Sequence, residues 1–502
     1  MLPKALTDFI FDLYDSVTLS QLAEEQTKFY STDFRDLTQK YFGSQPWPEP
    51  QAIASECNGH PLFLAVYREL THRHWTAVSR PTLRDRMEGW QVYRELFEEI
   101  LEADDPNYYL MPAWIFDILH EFVYQFQGFC QFRSALYATG RKHGILQPDG
   151  TIEAPAGGQH SNLVENLNVL QSSKEAWNVE LVFSYLHRLV ELGAPKSDGA
   201  SVHPVYSYLS IFSSVALSRL ECLLGDYTAC LQALTPIITR ADTVIPKEEN
   251  STVTEVLYSV FSARLSVAYH AAVSFMMLRR YKDASKTLGD ICVFMQRGFK
   301  TGQLRKLPGS DQFNKQYERM LSLLAILVQI SPSPGLIDDC VLRVVREKHG
   351  SRLQATTSYE DWFQSPKFVS VNPTHNVYRQ QVQQFLKGME NQPAGNKLRS
   401  YLKLYTSLQV DKLAKFHDMT SEDFLPLLLS YKARMLQLER AEGDSYLDGS
   451  WKVALDIHYY LEGNMVHVDE AEKQRRFENY FVSQIAQNTE IRRDVVAVDT
   501  AV

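Results

Sequence analysis

The sequence lacks any apolar stretch long enough to cross a bilayer. Its longest apolar run lies near residues 320–330 and is interrupted at Gln329, whereas a spanning helix needs about 20 apolar residues. The amino terminus places Asp8, Asp12 and Asp15 inside its apolar pattern, which the apolar region of a signal peptide excludes. We therefore expect neither a membrane segment nor a secretory signal.

Cysteine is scarce, and its spacing shows neither a disulfide nor a metal signature. The 502 residues contain six cysteines, and no two of them form a C-x-x-C pair. Disulfide-stabilised secreted domains are short and dense in cysteine, and structural zinc sites need closely paired ligands. The pattern predicts reduced thiols, a cytoplasmic location and no bound metal.

Motifs for nucleotide binding and for common hydrolases are missing as well. The sequence contains no G-x-x-x-x-G-K-[ST], G-x-G-x-x-G, G-x-S-x-G or H-E-x-x-H. His72 and His74 are two residues apart, so their side chains would not lie on the same face of a helix. Asp338 and Asp339 are typical of first-turn acids that favour the helix dipole. We predict that the protein is not an enzyme and has no catalytic residues and no cofactor.

Basic charge is too low for a chain that coats nucleic acid. There are 51 Lys and Arg residues against 60 Asp and Glu residues, a net charge of −9. Binding to a phosphate backbone by bulk charge requires the opposite sign. Hydrophobic residues make up 45% of the sequence, which is enough to bury a large core.

Apolar residues recur at helical spacing over most of the chain. The stretch Trp114–Leu136 is dense in aromatic residues, a pattern shared by base-stacking platforms and by core helices. No Lys or Arg occurs between Trp114 and Gln131, so we interpret the stretch as core. Thr139–Ser161 is rich in Gly and Pro and lacks periodicity, and we interpret it as a linker or mobile loop.

Two helix–turn–helix segments are similar to each other. Leu224-Gly-Asp-Tyr227 and Leu278-Arg-Arg-Tyr281 each end one long helical pattern and begin another, with a small residue and a leucine at fixed distances after the tyrosine. This is the pattern of a tetratricopeptide hairpin, although the repeat is longer than the usual length of about 34 residues. Such hairpins must stack to cover their apolar faces, so we predict a right-handed helical-repeat solenoid.

Residues 398–468 follow the element order of a winged helix. Apolar spacing predicts a helix over 398–408 and a shorter one over 410–416. Thr420, with Asp423 three residues later, resembles a capping box and opens a third, longer helix. Pro426 lies inside that helix and is expected to kink it or to delay its start.

Two strands complete the winged stretch. Alternation predicts a strand from Val453 to Tyr459, and Gly463-Asn464 fits a two-residue turn before a second strand, Met465–Val468. Winged helices often read duplex DNA, but residues 398–468 carry eight basic and ten acidic side chains, a net charge of −2. The third helix also begins with acids, so we expect no sequence-specific DNA binding. The other use of a wing is its free strand edge, which can pair with a strand of another chain.

Residues 469–494 predict one more helix, which has an apolar stripe on one face. The stripe consists of Phe477, Tyr480, Phe481 and Ile485. It either packs back on the winged helix or joins helices of other subunits. The sequence leaves both alternatives open.

These patterns predict a mainly α-helical chain in five parts. The parts are an N-terminal helical domain (1–138), a linker or loop (139–161), a helical-repeat region (162–396), a winged helix (397–468), and a C-terminal helix and tail (469–502).

Helical hairpins that lead into this winged stretch resemble the PCI domain, named for proteasome lid, COP9 signalosome and initiation factor. The apolar spacing from Leu408 to Phe424 is similar to the first segment of its winged helix, and the helical part would begin near residue 255. A closer likeness, from about Trp47 to about Ile485, is to the family of subunit l of eukaryotic translation initiation factor 3. It is carried by Trp47–Ala54, Phe63–Leu70, Glu121–Gln127, Leu224–Tyr227, Met276–Ala284 and Arg399–Thr406.

The resemblance implies a non-catalytic scaffold subunit. In that family the wings of successive PCI subunits pair edge to edge, C-terminal helices gather in a bundle, and subunits k and e are the nearest neighbours. The complex binds the 40S ribosomal subunit and supports 43S preinitiation complex formation. The implied partner-binding residues of the wing are Val453, Leu455, Ile457, Met465, Val466 and Val468, and those of the bundle are Phe477, Tyr480, Phe481 and Ile485.

Two other assignments share parts of these patterns. A PCI subunit of the proteasome lid or of the COP9 signalosome would have the same architecture in a different assembly. A nucleic-acid-binding adaptor would use the winged helix in its better-known role, against the charge balance given above.

Overall fold

The computed structural model divides the chain into two compact units. The first comprises Met1–Ser274, Ser365–Val382 and Glu442–Leu447, and the second comprises Phe275–Gln364, Gln383–Ala441 and Asp448–Val502. The structure describes residues 3–19, 24–43, 45–103, 107–153, 160–194, 202–238, 252–307, 309–331, 335–354, 359–389, 392–441, 444–454, 457–470, 484–485 and 488–489.

Helices dominate both units. In chain order they are α1 Lys4–Thr18, α2 Phe34–Leu37, α3 Pro50–Ile53, α4 Pro61–Val78, α5 Leu83–Glu102, α6 Pro112–Lys142, α7 Ser161–Ser172, α8 Val179–Leu192, α9 Pro204–Leu224, α10 Tyr227–Ile238, α11 Thr252–Ser259, α12 Phe261–Met277, α13 Tyr281–Lys300, α14 Gln303–Lys306, α15 Ser310–Ile330, α16 Asp339–Gln354, α17 Val377–Met389, α18 Gln392–Leu402, α19 Val410–Phe416 and α20 Ser421–Met435. The strands are β1 Ser407–Gln409, β2 Leu436–Glu439, β3 Ser450–Val453, β4 Ile457–Glu462 and β5 Met465–Glu470. The predicted fold class, helical hairpins followed by a winged helix, is confirmed.

The aromatic stretch of α6 forms core. Trp114, Phe122 and Phe126 are almost fully buried, and the Phe122 ring meets that of Phe97 in α5 edge to face, with 4.9 Å between ring centroids. Aromatic pairs in this geometry contribute about 0.5–1.5 kcal/mol beyond their buried area. The interpretation of this stretch as core is confirmed, with Tyr124 as an exposed exception.

The first helix–turn–helix segment predicted from the repeat forms a hairpin of α9 and α10. Gly225 ends α9 with φ of 93°, a conformation that glycine adopts without steric cost, and α10 begins two residues later. At the second segment α12 ends at Met277 and α13 begins at Tyr281, and Arg279 between them takes the same left-handed region, with φ of 61°. The small residues and leucines that follow the two tyrosines are fully buried; they are Cys230, Leu234, Ala284 and Leu288.

The stretch predicted to be a linker, Thr139–Ser161, is partly packed. Helix α6 continues to Lys142, and Leu146 pairs with Ile152 in an isolated antiparallel bridge. Ile145 and Leu146 are buried against Leu167 of α7. The stretch lies within the first unit and not between the two units.

The second unit contains the winged helix, and two of its predicted bounds are corrected. Helix α18 begins at Gln392. The first helix was predicted to reach Leu408, but it ends at Leu402, because Ser407–Gln409 instead pairs with β5 as strand β1. Helix α20 begins at Ser421, so its start is not delayed by Pro426, five residues further on.

No helix among the described residues is long and apolar enough to cross a membrane. No group of three or more His, Cys, Asp or Glu side chains in the same residues is placed to hold a metal ion.

Candidate assembly surface

One hydrophobic core holds the winged helix together. Helices α18, α19 and α20 pack their apolar faces against the sheet formed by β1, β5 and β4. The buried set is Leu398, Leu402, Leu408, Val410, Leu413, Ala414, Phe424, Leu428, Tyr431, Met435, Ile457, Tyr459 and Val466. Fully burying a leucine or phenylalanine side chain contributes about 1.5–3 kcal/mol, so this core fixes the sheet firmly on the helices.

Tyr459 ties the sheet to helix α20. Its hydroxyl donates a hydrogen bond to the carbonyl oxygen of Leu428 at 2.8 Å, and burial raises the pKa of Tyr459 well above its ordinary value. The buried phenol therefore stays neutral and acts as a donor. The accepting carbonyl lies in the middle of α20, on the face turned to the sheet.

The helix that would enter a DNA groove has an acidic start. Thr420 caps α20 by accepting a hydrogen bond from the backbone N–H of Asp423 at 3.2 Å, and Glu422 and Asp423 occupy the first turn. Lys432 and Arg434 lie in the last turn. This arrangement complements the helix dipole and places negative charge where a groove-reading helix needs cations.

The turn of the wing is anchored to the helices by Asp411. Its carboxylate accepts hydrogen bonds from the Ser421 hydroxyl at 2.6 Å and from the Asn464 amide at 3.0 Å. These two bonds hold the pKa of Asp411 below its ordinary value. Gly463 has φ of 57° at the first turn position, where a type II′ hairpin favours glycine. Glu462 pairs with Met465, so the predicted two-residue turn is confirmed.

The order of the strands decides which edge of the wing is free. The sheet runs β1-β5-β4, so β5 is the central strand and β4 is an edge strand in the part of the chain that the structure describes. Met465, Val466 and Val468 all lie in β5 and therefore cannot offer an unpaired backbone. Ile457 lies in β4, but its side chain is buried in the core.

The prediction of one wing strand from Val453 to Tyr459 is wrong. Val453 ends β3, which pairs with β2 in a separate two-stranded sheet. Ala454 then donates its N–H to the carbonyl of Met435 at 2.8 Å, and the wing strand begins only at Ile457. The alternation runs unbroken through both strands, which is why periodicity joins them; Leu455 lies outside the described residues.

The hydrogen-bond pattern identifies the groups at the free edge. Val468 donates its N–H to the carbonyl of Thr406 at 2.8 Å, on the β1 side. In an antiparallel ladder the N–H and C=O of a residue point to the same side. Val468 lies opposite Tyr459, so Tyr459 directs both groups away from β5. Ile457 and Leu461, two residues to either side, do the same.

Polar and aromatic side chains cover the outer face of this edge. The Tyr460 ring is 41% exposed and stacks on His467 of β5, with 5.2 Å between ring centroids. His458 lies 3.9 Å from Asp469, measured between ring nitrogen and carboxylate oxygen. This face is not an apolar patch that must be buried. It also lacks the basic charge that binding to a phosphate backbone requires.

The C-terminal stripe is described at one position. Ile485 is 64% exposed, whereas Phe477, Tyr480 and Phe481 lie outside the described residues. The role of the stripe in a helix bundle stays a prediction.

Sequence reasoning missed strand β1 and the hairpin of β2 and β3. Leu436-Gln-Leu-Glu439 does alternate, but it follows α20 directly and continues its apolar spacing. The partner of β2, Ser450–Val453, is separated from it by ten residues. Since a strand is stable only when paired, the alternation of four residues is not a sufficient signal.

Known proteins match this chain over nearly its whole length. A family model described as "Paf67: RNA polymerase I-associated factor PAF67" matches residues 85–488. Eukaryotic translation initiation factor 3 subunit L of Homo sapiens is 32% identical over 500 residues, which cover 92% of this chain and 82% of that protein.

Two further relatives carry the same name. The protein of Gallus gallus is also 32% identical over 500 residues, with the same coverage. That of Nematostella vectensis is 29% identical over 529 residues and covers 99% of this chain and 93% of its own length. The resemblance drawn from the residues is confirmed. The chain belongs to the Paf67 family, whose curated relatives are subunit L of eukaryotic translation initiation factor 3.

Proposed function

We propose that this chain is a non-catalytic scaffold subunit of the eukaryotic translation initiation factor 3 complex. It acts in the cytoplasm, assembles with neighbouring subunits through its winged helix and C-terminal helix, and supports 43S preinitiation complex formation on the 40S ribosomal subunit. The observation that carries the proposal is the unpaired edge of β4 on a rigid winged helix.

A free strand edge is suited to joining subunits. Ile457, Tyr459 and Leu461 direct three N–H and three C=O groups outward, and a strand of a neighbour would satisfy them by extending the sheet. An edge left open would promote aggregation, so natural proteins cover or charge it. We assign subunits k and e as the neighbours, in line with the family pattern, and the edge of β4 as the surface for one of them.

The C-terminal helix is proposed as a second attachment. Its stripe of Phe477, Tyr480, Phe481 and Ile485 would pack against helices of other subunits. The exposure of Ile485 supports this role over packing against the winged helix.

Removing one outward N–H tests the strand edge. Leu461→Pro deletes a donor on the free side of β4, while Leu461→Thr keeps the donor and changes the side chain. We expect the proline variant to lose co-purification with initiation factor 3 subunits by about tenfold, because a broken ladder bond at an interface costs about 1–3 kcal/mol. Circular dichroism and thermal unfolding would establish that both variants are folded.

Wild-type recovery of a folded Leu461→Pro variant in the complex would refute pairing at this edge. The bundle is tested separately by Phe477→Asp with Phe481→Asp, which should release the folded protein from the complex. Affinity purification with mass spectrometry is the common readout. Recovery of proteasome lid or signalosome subunits in place of initiation factor 3 and 40S proteins would overturn the assignment itself.

A further inference from the structure

The hairpin of β2 and β3 presents a second strand edge, in a sheet separate from that of β4. Ala454 donates to Met435 on the β2 side, so Lys452, two residues earlier, also faces β2. By the same alternation, Trp451 and Val453 direct their N–H and C=O groups away from β2. Strand β3 therefore carries a short unpaired edge in the described part of the chain.

This hairpin is held rigidly on the start of helix α13. Arg280, which is buried, donates from Nη2 to Asp283 at 2.7 Å and to the carbonyl of Asp448 at 3.0 Å. The other carboxylate oxygen of Asp283 accepts the backbone N–H of Arg440 at 3.2 Å. Both ends of the loop between β2 and β3 are thus fixed to one ion pair. A two-stranded sheet is marginal alone, and this anchorage preorganises it.

A second pair of contacts fixes the face of β2 that is turned to α13. The Gln437 side-chain oxygen accepts the backbone N–H of Lys282 at 3.3 Å, and Lys282 Nζ lies 3.0 Å from the Glu439 carboxylate. Lys452 is on the same face, opposite Gln437. Its side chain is exposed and has no ion-pair partner among the described residues.

The opposite face of the hairpin is apolar and open to solvent. Trp451 is 68% exposed and Leu436 is 45% exposed, and Leu438 lies directly opposite Trp451. A large exposed aromatic side chain beside unpaired backbone groups has the composition of an interaction hot spot.

We propose that the edge of β3 binds an extended segment of a partner protein with the pattern apolar–acidic–apolar. A strand added beside β3 would satisfy the backbone groups of Trp451 and Val453. The residue of the added strand that lies opposite Lys452 would share the face of the sheet that carries the lysine side chain, where a carboxylate is complementary. The residues before and after it would lie on the other face and cover the indole of Trp451. This surface is additional to the edge of β4 and does not depend on it.

The test uses the full-length chain and two labelled peptides that alternate valine with aspartate or valine with lysine. Fluorescence anisotropy should show the aspartate peptide binding about fivefold more tightly, and Lys452→Glu should reverse the preference, since an exposed ion pair is worth up to about 1 kcal/mol. Trp451→Ser should weaken binding by about tenfold. Hydrogen exchange should show peptide-dependent protection in residues 450–453.

Equal binding of the two peptides, or protection confined to residues 457–461, would overturn the proposal. Protection of residues 450–453 in the free chain that is lost when residues 471–502 are deleted would also overturn it, because the occupant would then be the chain's own tail. None of these outcomes depends on co-purification with initiation factor 3. Failure of this proposal can therefore be distinguished from failure of the proposed function.

Discussion

Glu69 is an acidic residue in the interior of the first unit. Its side chain in α4 is fully buried, with Oε1 accepting a hydrogen bond from the Tyr93 hydroxyl at 3.1 Å and lying 3.4 Å from Arg73 Nε. Burial raises the pKa of Glu69 to about 7, despite the opposing charge of Arg73. The carboxyl group therefore titrates near neutral pH in the folded protein.

This shift predicts a pH dependence of stability. The pKa of Glu69 is 4.5 in its ordinary state and about 7 when folded, so between these values the native state binds more protons than the unfolded state. The contribution of Glu69 to the free energy of unfolding therefore falls as pH rises through this window, by up to about 3 kcal/mol. Glu69→Gln should flatten this slope, measured by urea unfolding at pH values from about 4 to 8.

Glu99→Gln is the matched control, because Glu99 is an exposed carboxylate in the adjacent helix α5. It should leave the slope unchanged. An unaltered slope in the Glu69 variant would show that other groups, such as Glu221, whose pKa burial also raises to about 7, account for the titration.

At the scale of elements, helices were predictable because their signals are local. The capping box predicted at Thr420 caps α20 through the N–H of Asp423, and the turn at Gly463-Asn464 forms between the residues expected. The strands were less predictable, because pairing joins residues distant in sequence. Ser407–Gln409 becomes a strand only because Met465–His467 lies beside it.

Helix α18 packs so closely on α20 that one position requires glycine. A Cβ atom at Gly395 would overlap the ring of Tyr431, which belongs to the core of the winged helix. Overpacking costs about 1–3 kcal/mol, and the gain in helix propensity from glycine to alanine is only about 1 kcal/mol. Gly395→Ala should therefore lower the free energy of unfolding.

Gly388 in α17 supplies the comparison for that measurement. A Cβ there would meet no atom within 4 Å, so Gly388→Ala should be neutral or stabilising by up to about 1 kcal/mol. Thermal unfolding of the two variants side by side would check both. Equal stability of the two would contradict close packing of α18 on Tyr431.

At the scale of the whole molecule, charge predicts poor binding to nucleic acid. The chain has a net charge of −9, and the exposed first turn of α20 is acidic. A fluorescence titration with RNA at about 50 and 200 mM salt should show weak binding with little salt dependence. Tight binding that weakens steeply with salt would instead support the nucleic-acid adaptor.

The sequence led to a strand edge as the candidate site but did not locate that edge. Composition and charge pointed to a strand edge in place of a groove-reading helix, and the binding role of the edge stays a prediction. Periodicity, however, cannot tell a central strand from an edge strand, so Met465, Val466 and Val468 were placed at the edge together with Ile457. Only the pairing of β5 on both sides distinguishes them.

The order β1-β5-β4 also makes the sheet asymmetric. It ends in a strand of six residues, β4, on one side and in a strand of three residues, β1, on the other. If β4 of one subunit joined β4 of an identical copy, the contact would be isologous and would close as a dimer. If β4 instead pairs with a different strand of a different subunit, the contact is heterologous. The second subunit then still offers a free strand edge to a third subunit. A chain of non-identical subunits can therefore grow in one direction from this wing, and its length is set by how many kinds of subunit are available.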